Sequence, residues 1–205
     1  MSDTSPKPVN QKARFWVARI AVLICGPIIV FTQSAWADYA VLRASLEVIG
    51  ILTIVAAVLG RFWAILYIGG RKNDEVVQIG PYSMSRHPLY FSSTLGVIGF
   101  GLMVGSVVLA AVLGVVTFVI LSQTAKREER FLRAEFAPAY DEYATRVPRI
   151  WPRPSLFSTP SEVSFNTRTL RTNLADAMGF LALIPVAQII NGLHEAQLLW
   201  EIVLP

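Results

Sequence analysis

The chain has 205 residues, of which 54% are hydrophobic and only 16% are charged, and its mean hydropathy is +0.51. This composition excludes a disordered chain and is too apolar for an ordinary soluble domain. The net charge is +4, and the single thiol, Cys25, excludes an intrachain disulfide and a cysteine-based metal cluster.

Several apolar stretches are candidates to cross a bilayer, because a helix needs about 20 residues to span about 30 Å of hydrocarbon. We therefore predict an all-α fold, a polytopic membrane helix bundle of about five transmembrane helices without a Rossmann sheet. Polar residues interrupt the last stretch, which either spans or lies partly at the interface. The predicted helices occupy 15–36, 41–68, two stretches within the uncharged run 88–125, and 174–203.

The first stretch also has the general form of a signal peptide. Ala35-Trp36-Ala37 satisfies the small-residue cleavage pattern, but Arg19 interrupts the apolar region. We expect the stretch to be retained as a helix.

We expect a single membrane domain, 1–205, in which Val104-Gly105-Ser106 turns a helical hairpin. Pro138 is predicted to break the amphipathic helix that follows the hairpin near Ala137, because proline cannot continue a helix. The expected parts are an N-terminal helix pair (1–73), a core with the hairpin and a cytosolic amphipathic helix (74–152), a linker (153–173) and a C-terminal helix (174–205).

Basic residues lie mainly before the first predicted helix and in the segments 69–88 and 123–173, whereas the opposite side carries only Arg43. By the positive-inside rule these basic segments are cytosolic. We therefore expect a multi-pass membrane protein with a cytosolic N-terminus and active site, in the inner membrane if the protein is bacterial.

Two features inside the apolar stretches predict specific contacts. Arg61 lies within the second stretch, so it either faces a polar partner or extends towards lipid phosphates. Glycines recur along the third predicted helix, which indicates close helix packing. They are Gly96, Gly99, Gly101 and Gly105.

The third predicted helix begins at Pro88, which suits a first helical turn and holds His87 extended just before it. The helix N-terminus carries partial positive charge and, with Arg86 and His87, could hold an anion such as a carboxylate. In the alternative interpretation, Arg86 anchors to lipid headgroups and His87 only caps the helix.

A second polar segment follows the hairpin and has the periodicity of an amphipathic helix. Glu128 and Glu129 are adjacent, about 100° apart around that helix, so they cannot both face one pocket squarely. The alternative is a cover lying on the membrane surface, with its two tyrosines as interfacial anchors. The periodic residues are Glu128, Leu132, Phe136, Tyr140, Tyr143 and Val147.

Two groups of residues thus flank the hairpin: Gly80-Pro81-Tyr82 with Arg86-His87-Pro88-Leu89-Tyr90, and Glu128-Glu129 with Val147-Pro148-Arg149. Over residues 74–152 the chain resembles the integral-membrane methyltransferases of the isoprenylcysteine carboxyl methyltransferase and phospholipid methyltransferase type. The resemblance implies an all-helical site for S-adenosylmethionine at the cytosolic ends of the helices.

The resemblance also implies roles for individual residues. Glu129 and Arg149 are candidates for the reaction centre, and Arg86 joins the cofactor contacts because the cofactor carboxylate would suit it. The other implied cofactor contacts are Val76, Val77, Tyr82, His87, Pro88, Leu89, Tyr90 and Glu128.

The acceptor determines what chemistry the site must supply. A carboxylate acceptor is already ionised and would use an arginine, Arg149 or Arg61, for orientation. An amine acceptor would need a base, and Glu129 could act so only if burial raised its pKa. Enzymes that act on prenylated cysteine resemble this chain but carry an arginine where it has Thr124, which argues against a prenylcysteine carboxylate.

We therefore expect a methyltransferase that uses S-adenosylmethionine on a carboxylate, amine or thiol of a lipid or other lipophilic small molecule. Its expected partners are the bilayer and that substrate, with neither nucleic acid nor metal. The alternatives are an NADPH-dependent membrane oxidoreductase similar to sterol reductases and a non-enzymatic transporter or assembly subunit. The transporter is disfavoured because Pro88 to Ala125 offers no charge to line a path.

Overall fold

The computed structural model describes residues 39–69, 75–165 and 167–198, together with Gly26 and the segments 32–34 and 202–204. Two short strands, β1 (Thr32–Ser34) and β2 (Ile202–Leu204), pair in parallel. The all-α prediction is confirmed apart from this pair. The α-helices are α1 (Ala40–Ile68), α2 (Pro81–Met84), α3 (Pro88–Met103), α4 (Val107–Phe136), α5 (Ala139–Arg146), α6 (Thr167–Gly179) and α7 (Leu183–Glu195).

The chain divides into two compact units. The described part of the first unit comprises residues 58–69, 75–93, 118–165 and 167–178, and every residue of the candidate site belongs to it. The second unit includes Thr94–Thr117, the described parts of Asn10–Ala57 and of Gly179–Pro205.

Two helices in the described part of the chain, α1 and α4, are long and apolar enough to cross a membrane. The helix α3 is apolar but shorter. The predicted count of about five transmembrane helices is therefore not confirmed. The predicted helix 15–36 lies almost wholly outside the described residues. Within it, Gly26 is helical, whereas Thr32–Ser34 is a strand and not the expected helix.

The predicted hairpin turn at Val104-Gly105-Ser106 is confirmed. Gly105 has a φ of 85°, a left-handed conformation that favours glycine because it lacks a Cβ. Ser106 then caps α4, since its Oγ accepts a hydrogen bond from the Leu109 N–H at 3.1 Å. These two adjacent residues end one apolar helix and begin the next.

The helix α4 is apolar over 107–125 and charged from Lys126 onwards, so its last part extends beyond the stretch suited to lipid. The predicted break is confirmed, because α4 ends at Phe136 and α5 begins at Ala139, directly after Pro138. The charged end of α4 and the start of α5 therefore belong to one polar region.

The C-terminal prediction was wrong in two respects. The expected linker 153–173 contains the start of α6, which begins at Thr167. The expected helix 174–203 is divided by a 3-10 turn, Phe180–Ala182, after which α7 begins with Pro185 in its first turn. Proline in a helix interior lacks a hydrogen-bond donor and collides with the preceding turn, so a new helix begins there instead.

The predicted close packing of glycines is seen in the second unit, where α1 and α3 meet. A Cβ added to Gly50 would lie 2.6 Å from the carbonyl oxygen of Gly99, closer than real side-chain carbons approach backbone. The two backbones are in contact at this crossing because neither residue has a side chain.

We expect Gly50→Ala to destabilise the protein by about 1–3 kcal/mol, because the added methyl group forces two backbones apart. Thermal unfolding in detergent measures the loss. Gly192→Ala is the matched control: an added Cβ meets nothing within 4 Å there, and alanine favours a helix interior. Equal unfolding temperatures for the two variants would contradict the close crossing.

Candidate active site

The start of α3 positions His87. The carbonyl oxygen of His87 accepts hydrogen bonds from the N–H groups of Tyr90 at 3.0 Å and Phe91 at 3.3 Å, and Pro88 is the first helical residue. The predicted helix start is confirmed. The His87 ring is thereby held directly beside the helix N-terminus, on a rigid element.

The segment that follows α5 pairs with the turn that precedes α3. The N–H of Arg86 donates to the carbonyl of Pro148, and the N–H of His87 donates to the carbonyl of Arg149, both at 2.9 Å. These two main-chain hydrogen bonds join the two halves of the motif, which are about sixty residues apart in the sequence.

Ser85 strengthens this pairing, and sequence reasoning missed it. Its side chain is fully buried; Oγ donates to the carbonyl of Ile150 at 2.9 Å and accepts from the His87 N–H at 3.3 Å. A serine close after a Gly-Pro turn is a type of residue that often bonds nearby backbone, which is the only signal the sequence carried.

Glu129 is the centre of the polar cluster and is only 3% exposed. The guanidinium of Arg149 donates to its carboxylate through Nε at 3.0 Å and Nη2 at 2.9 Å. Arg86 Nη1 lies 3.1 Å and His87 Nε2 lies 3.4 Å from Glu129 Oε1. One buried carboxylate is therefore surrounded by three basic side chains.

These contacts determine the ionisation of Glu129, which lies beyond the apolar stretch of α4. Burial alone would raise its pKa, but His87 and Arg149 as hydrogen-bonding groups, with the charges of Arg86 and Arg149, lower the pKa to about 2. The hydrogen bond that Arg149 donates to Glu129 raises the pKa of Arg149 in turn. Glu129 is therefore ionised at neutral pH and has little capacity to accept a proton.

Glu128 contacts the other side of the His87 ring. Its Oε2 lies 3.6 Å from His87 Nδ1, and its side chain is 22% exposed. Glu129 is buried and Glu128 is partly solvated, which agrees with the expectation that the two adjacent glutamates do not both face one pocket squarely. Tyr90 stacks on the imidazole, with ring centroids 5.2 Å apart and planes 1° from parallel.

Tyr82 adds a buried hydroxyl to the site. Its Oη has no hydrogen-bond partner among the described residues, although its backbone carbonyl accepts a hydrogen bond from Tyr143 Oη at 2.7 Å. Burial, followed by the neighbouring Tyr143 and Glu128, raises the pKa of Tyr82 well above its usual value of 10. The hydroxyl is therefore neutral and available for another partner.

The remaining predicted cofactor residues surround this group. Val77 and Tyr82 belong to one buried cluster, and Leu89 packs against that cluster. Val76 packs instead against the cluster that contains Tyr140. Val77 and Leu89 therefore lie beside Tyr82, whereas Val76 lies in the neighbouring cluster around Tyr140.

Four side chains decide between the alternatives that the sequence left open. Arg86 is only 10% exposed and paired with Glu129, so the interpretation of Arg86 as a headgroup anchor was wrong. Tyr140 and Tyr143 are 1% and 3% exposed, and therefore form core rather than interfacial anchors. Burial raises the pKa of Tyr140 to about 12 and raises that of Tyr143 further.

Arg61 donates to Ser93 Oγ at 2.5 Å and so has a polar partner within the protein.

An open cavity of about 410 Å³ adjoins this cluster, and Glu129 and Arg149 form part of its wall. Its other lining residues come from α4 and are mostly cationic. Among the described residues, no group of three or more histidine, cysteine, aspartate or glutamate side chains is placed to hold a metal ion.

The chain belongs to the phospholipid methyltransferase family, which matches residues 39–139 and confirms the resemblance. No solved structure matches the chain.

Two relatives match nearly the whole chain. The nickel-cobalt-cadmium resistance protein NccN of Alcaligenes xylosoxydans xylosoxydans is 34% identical over 98% of this chain and 94% of its own. The cobalt-zinc-cadmium resistance protein CzcN of Cupriavidus metallidurans is 36% identical over 93% of this chain and 87% of its own. Both are therefore similar to this chain along most of their length.

We expect Glu129→Gln to destabilise the protein by about 3 kcal/mol at neutral pH, because Arg86 and Arg149 lose a buried counter-charge. The folded-state pKa of about 2 lies below the usual 4.5, so the carboxylate stabilises the fold above pH 4.5 and loses this effect as the pH falls towards 2.

Thermal unfolding between neutral and acidic pH tests both points. Wild-type protein should lose stability on acidification, and Glu129→Gln should lose less. Glu135→Gln, an exposed position on the same helix, is the matched control and should behave as wild type. Parallel pH profiles for wild type and Glu129→Gln would contradict the assignment.

Proposed function

We propose that this protein is an S-adenosylmethionine-dependent methyltransferase that transfers a methyl group to a lipophilic acceptor at the membrane. The observation that carries the proposal is the His87 ring held between Glu128 and Glu129, where the two halves of the motif meet. Membership of the phospholipid methyltransferase family supports it.

The residues present fit the donor molecule. Tyr82 offers a buried hydroxyl without a partner among the described residues, which is an unmet requirement that a ligand can satisfy. Glu128 is a partly exposed carboxylate suited to an ammonium group, and His87 and Tyr90 offer a ring pair for a carboxylate or a cationic sulfur. When bound, S-adenosylmethionine supplies an electrophilic methyl group on a positively charged sulfur.

We assign Glu129 a positioning role rather than that of a general base. Its carboxylate is ionised and occupied by Arg86 and Arg149, so it orients Arg149 and cannot readily remove a proton from an amine. This arrangement favours an acceptor that is already ionised. The chain would then contribute orientation, exclusion of water and fixed charge.

We also propose the topology of the protein. The basic segments at the N-terminus, 69–88 and 123–173 place these regions and the site on the cytosolic side of a multi-pass protein, in the inner membrane if the protein is bacterial. The lipophilic acceptor would reach the site from the bilayer, and the polar donor from the cytosol.

The names of the two relatives associate them with resistance to nickel, cobalt, zinc and cadmium. We propose that this chain serves a similar physiological purpose through methylation of a membrane component. The names of the two relatives, and the fact that they match this chain over most of its length, support a role in metal resistance.

Calorimetric titration of the detergent-purified protein with S-adenosylhomocysteine tests the donor site. We expect Tyr82→Phe to weaken binding several-fold without lowering the unfolding temperature, because the removed hydroxyl has no partner in the described protein. Tyr143→Phe is the contrasting control and should lower stability by about 1 kcal/mol, because its hydroxyl bonds the Tyr82 backbone. Unchanged affinity in Tyr82→Phe would remove Tyr82 from the site.

The same titration tests the two motif residues. His87→Ala and Glu128→Ala should each weaken S-adenosylhomocysteine binding at least tenfold, roughly the effect of losing one charge-assisted hydrogen bond. Glu135→Ala should bind as wild type does. Absent binding in the wild type, or NADPH binding in its place, would overturn the proposed function in favour of the reductase alternative.

A further inference from the structure

We infer that the cavity beside Glu129 is the acceptor pocket and that it recognises a lipid with a net negative headgroup. This inference rests on the proposed function, because it assigns the second substrate of the same site. It goes further by specifying the charge of that substrate, which family membership leaves open.

The cavity wall is strongly cationic. Five of its lining side chains are basic and one is acidic. Arg149 is paired with Glu129, and Arg133 Nε lies 3.3 Å from Asp141 Oδ1. The other three cations make no ion pair with any residue that the structure describes, so their charge is available to a ligand. They are Lys126, Arg127 and Arg130.

The cavity also lacks a partner for a headgroup ammonium. Its single carboxylate, Glu129, is occupied by arginines, and Gln123 is neutral. A zwitterionic headgroup would leave its cation among like charges, which is unfavourable. The cationic wall likewise disfavours the sulfonium donor, so we assign the donor to His87, Tyr90 and Glu128 and the acceptor headgroup to the cavity, where the two sites adjoin at Glu129. An anionic phosphate suits the three available cations best.

The same helix indicates that the anion is attached to an apolar chain. Gln123 and Lys126 line the cavity, and Val119 precedes Gln123 by about one turn on the same face of α4. The Val119 side chain is 50% exposed. A molecule with a charged head in the cavity and a hydrocarbon chain along Val119 would match this face.

Binding of two short-chain phospholipids to the full-length protein in neutral detergent tests the inference. We expect dihexanoyl phosphatidic acid to bind more tightly than dihexanoyl phosphatidylcholine. Each cation near an anionic headgroup typically contributes about a fivefold effect. Arg130→Gln should therefore weaken phosphatidic acid binding about fivefold, and the triple variant K126Q/R127Q/R130Q should weaken it on the order of a hundredfold.

Matched variants separate this site from general surface charge. Arg171→Gln removes an exposed cation from α6, outside the cavity, and should leave lipid binding unchanged. The charge-preserving variant K126R/R130K should retain most of the affinity. Equal affinity for the two phospholipids, or equal effects of Arg130→Gln and Arg171→Gln, would overturn the inference.

Two further measurements identify which proposal fails and which source of anion applies. All cavity variants should bind S-adenosylhomocysteine as wild type does. Failure of the wild type to bind S-adenosylhomocysteine would refute the proposed function. The comparison of the two phospholipids tests the lipid site separately. Inorganic phosphate should bind far more weakly than phosphatidic acid. Comparable binding of the two would show that the anion site takes soluble phosphates and would refute the lipid assignment.

Discussion

A single buried carboxylate is the interaction on which the rest of the site depends. Glu129 joins Arg86, from the turn before α3, to Arg149, from the segment after α5, and it also contacts His87. Its negative charge makes it possible to bury arginine and histidine side chains together, since unpaired charges in a dry interior are strongly unfavourable. The proposed donor site and the cationic cavity therefore share Glu129 as one electrostatic centre.

Much of the fold and of the site could be predicted because local rules apply to the residues concerned. Pro88 and Ser106 begin helices, Gly105 ends one, and Pro138 separates two, each for a reason that involves only near neighbours. The meeting of His87 with Glu128 followed from a resemblance between motifs. It could not have been obtained from periodicity, which says nothing about how distant segments pair.

What could not be predicted depends on tertiary contacts. The serine that links the two motif segments, Ser85, has no distinctive pattern around it, and only the folded chain shows its carbonyl partner. The ionisation of Glu129 is a second case, because the sequence left open whether burial or basic neighbours would dominate. At the C-terminus, the apolar pattern predicts one long helix, but two shorter helices form because Pro185 favours a new helix start.

Two main-chain hydrogen bonds pair residues 86–87 with 148–149, beside the side-chain contacts of Ser85 and Glu129. Main-chain hydrogen bonds place no demand on side-chain identity, so mutation can alter the lining of the neighbouring cavity without loosening the junction that holds the imidazole. Substitutions on the exposed surface of α4 can therefore change which ligand the cavity suits while these main-chain hydrogen bonds remain in place.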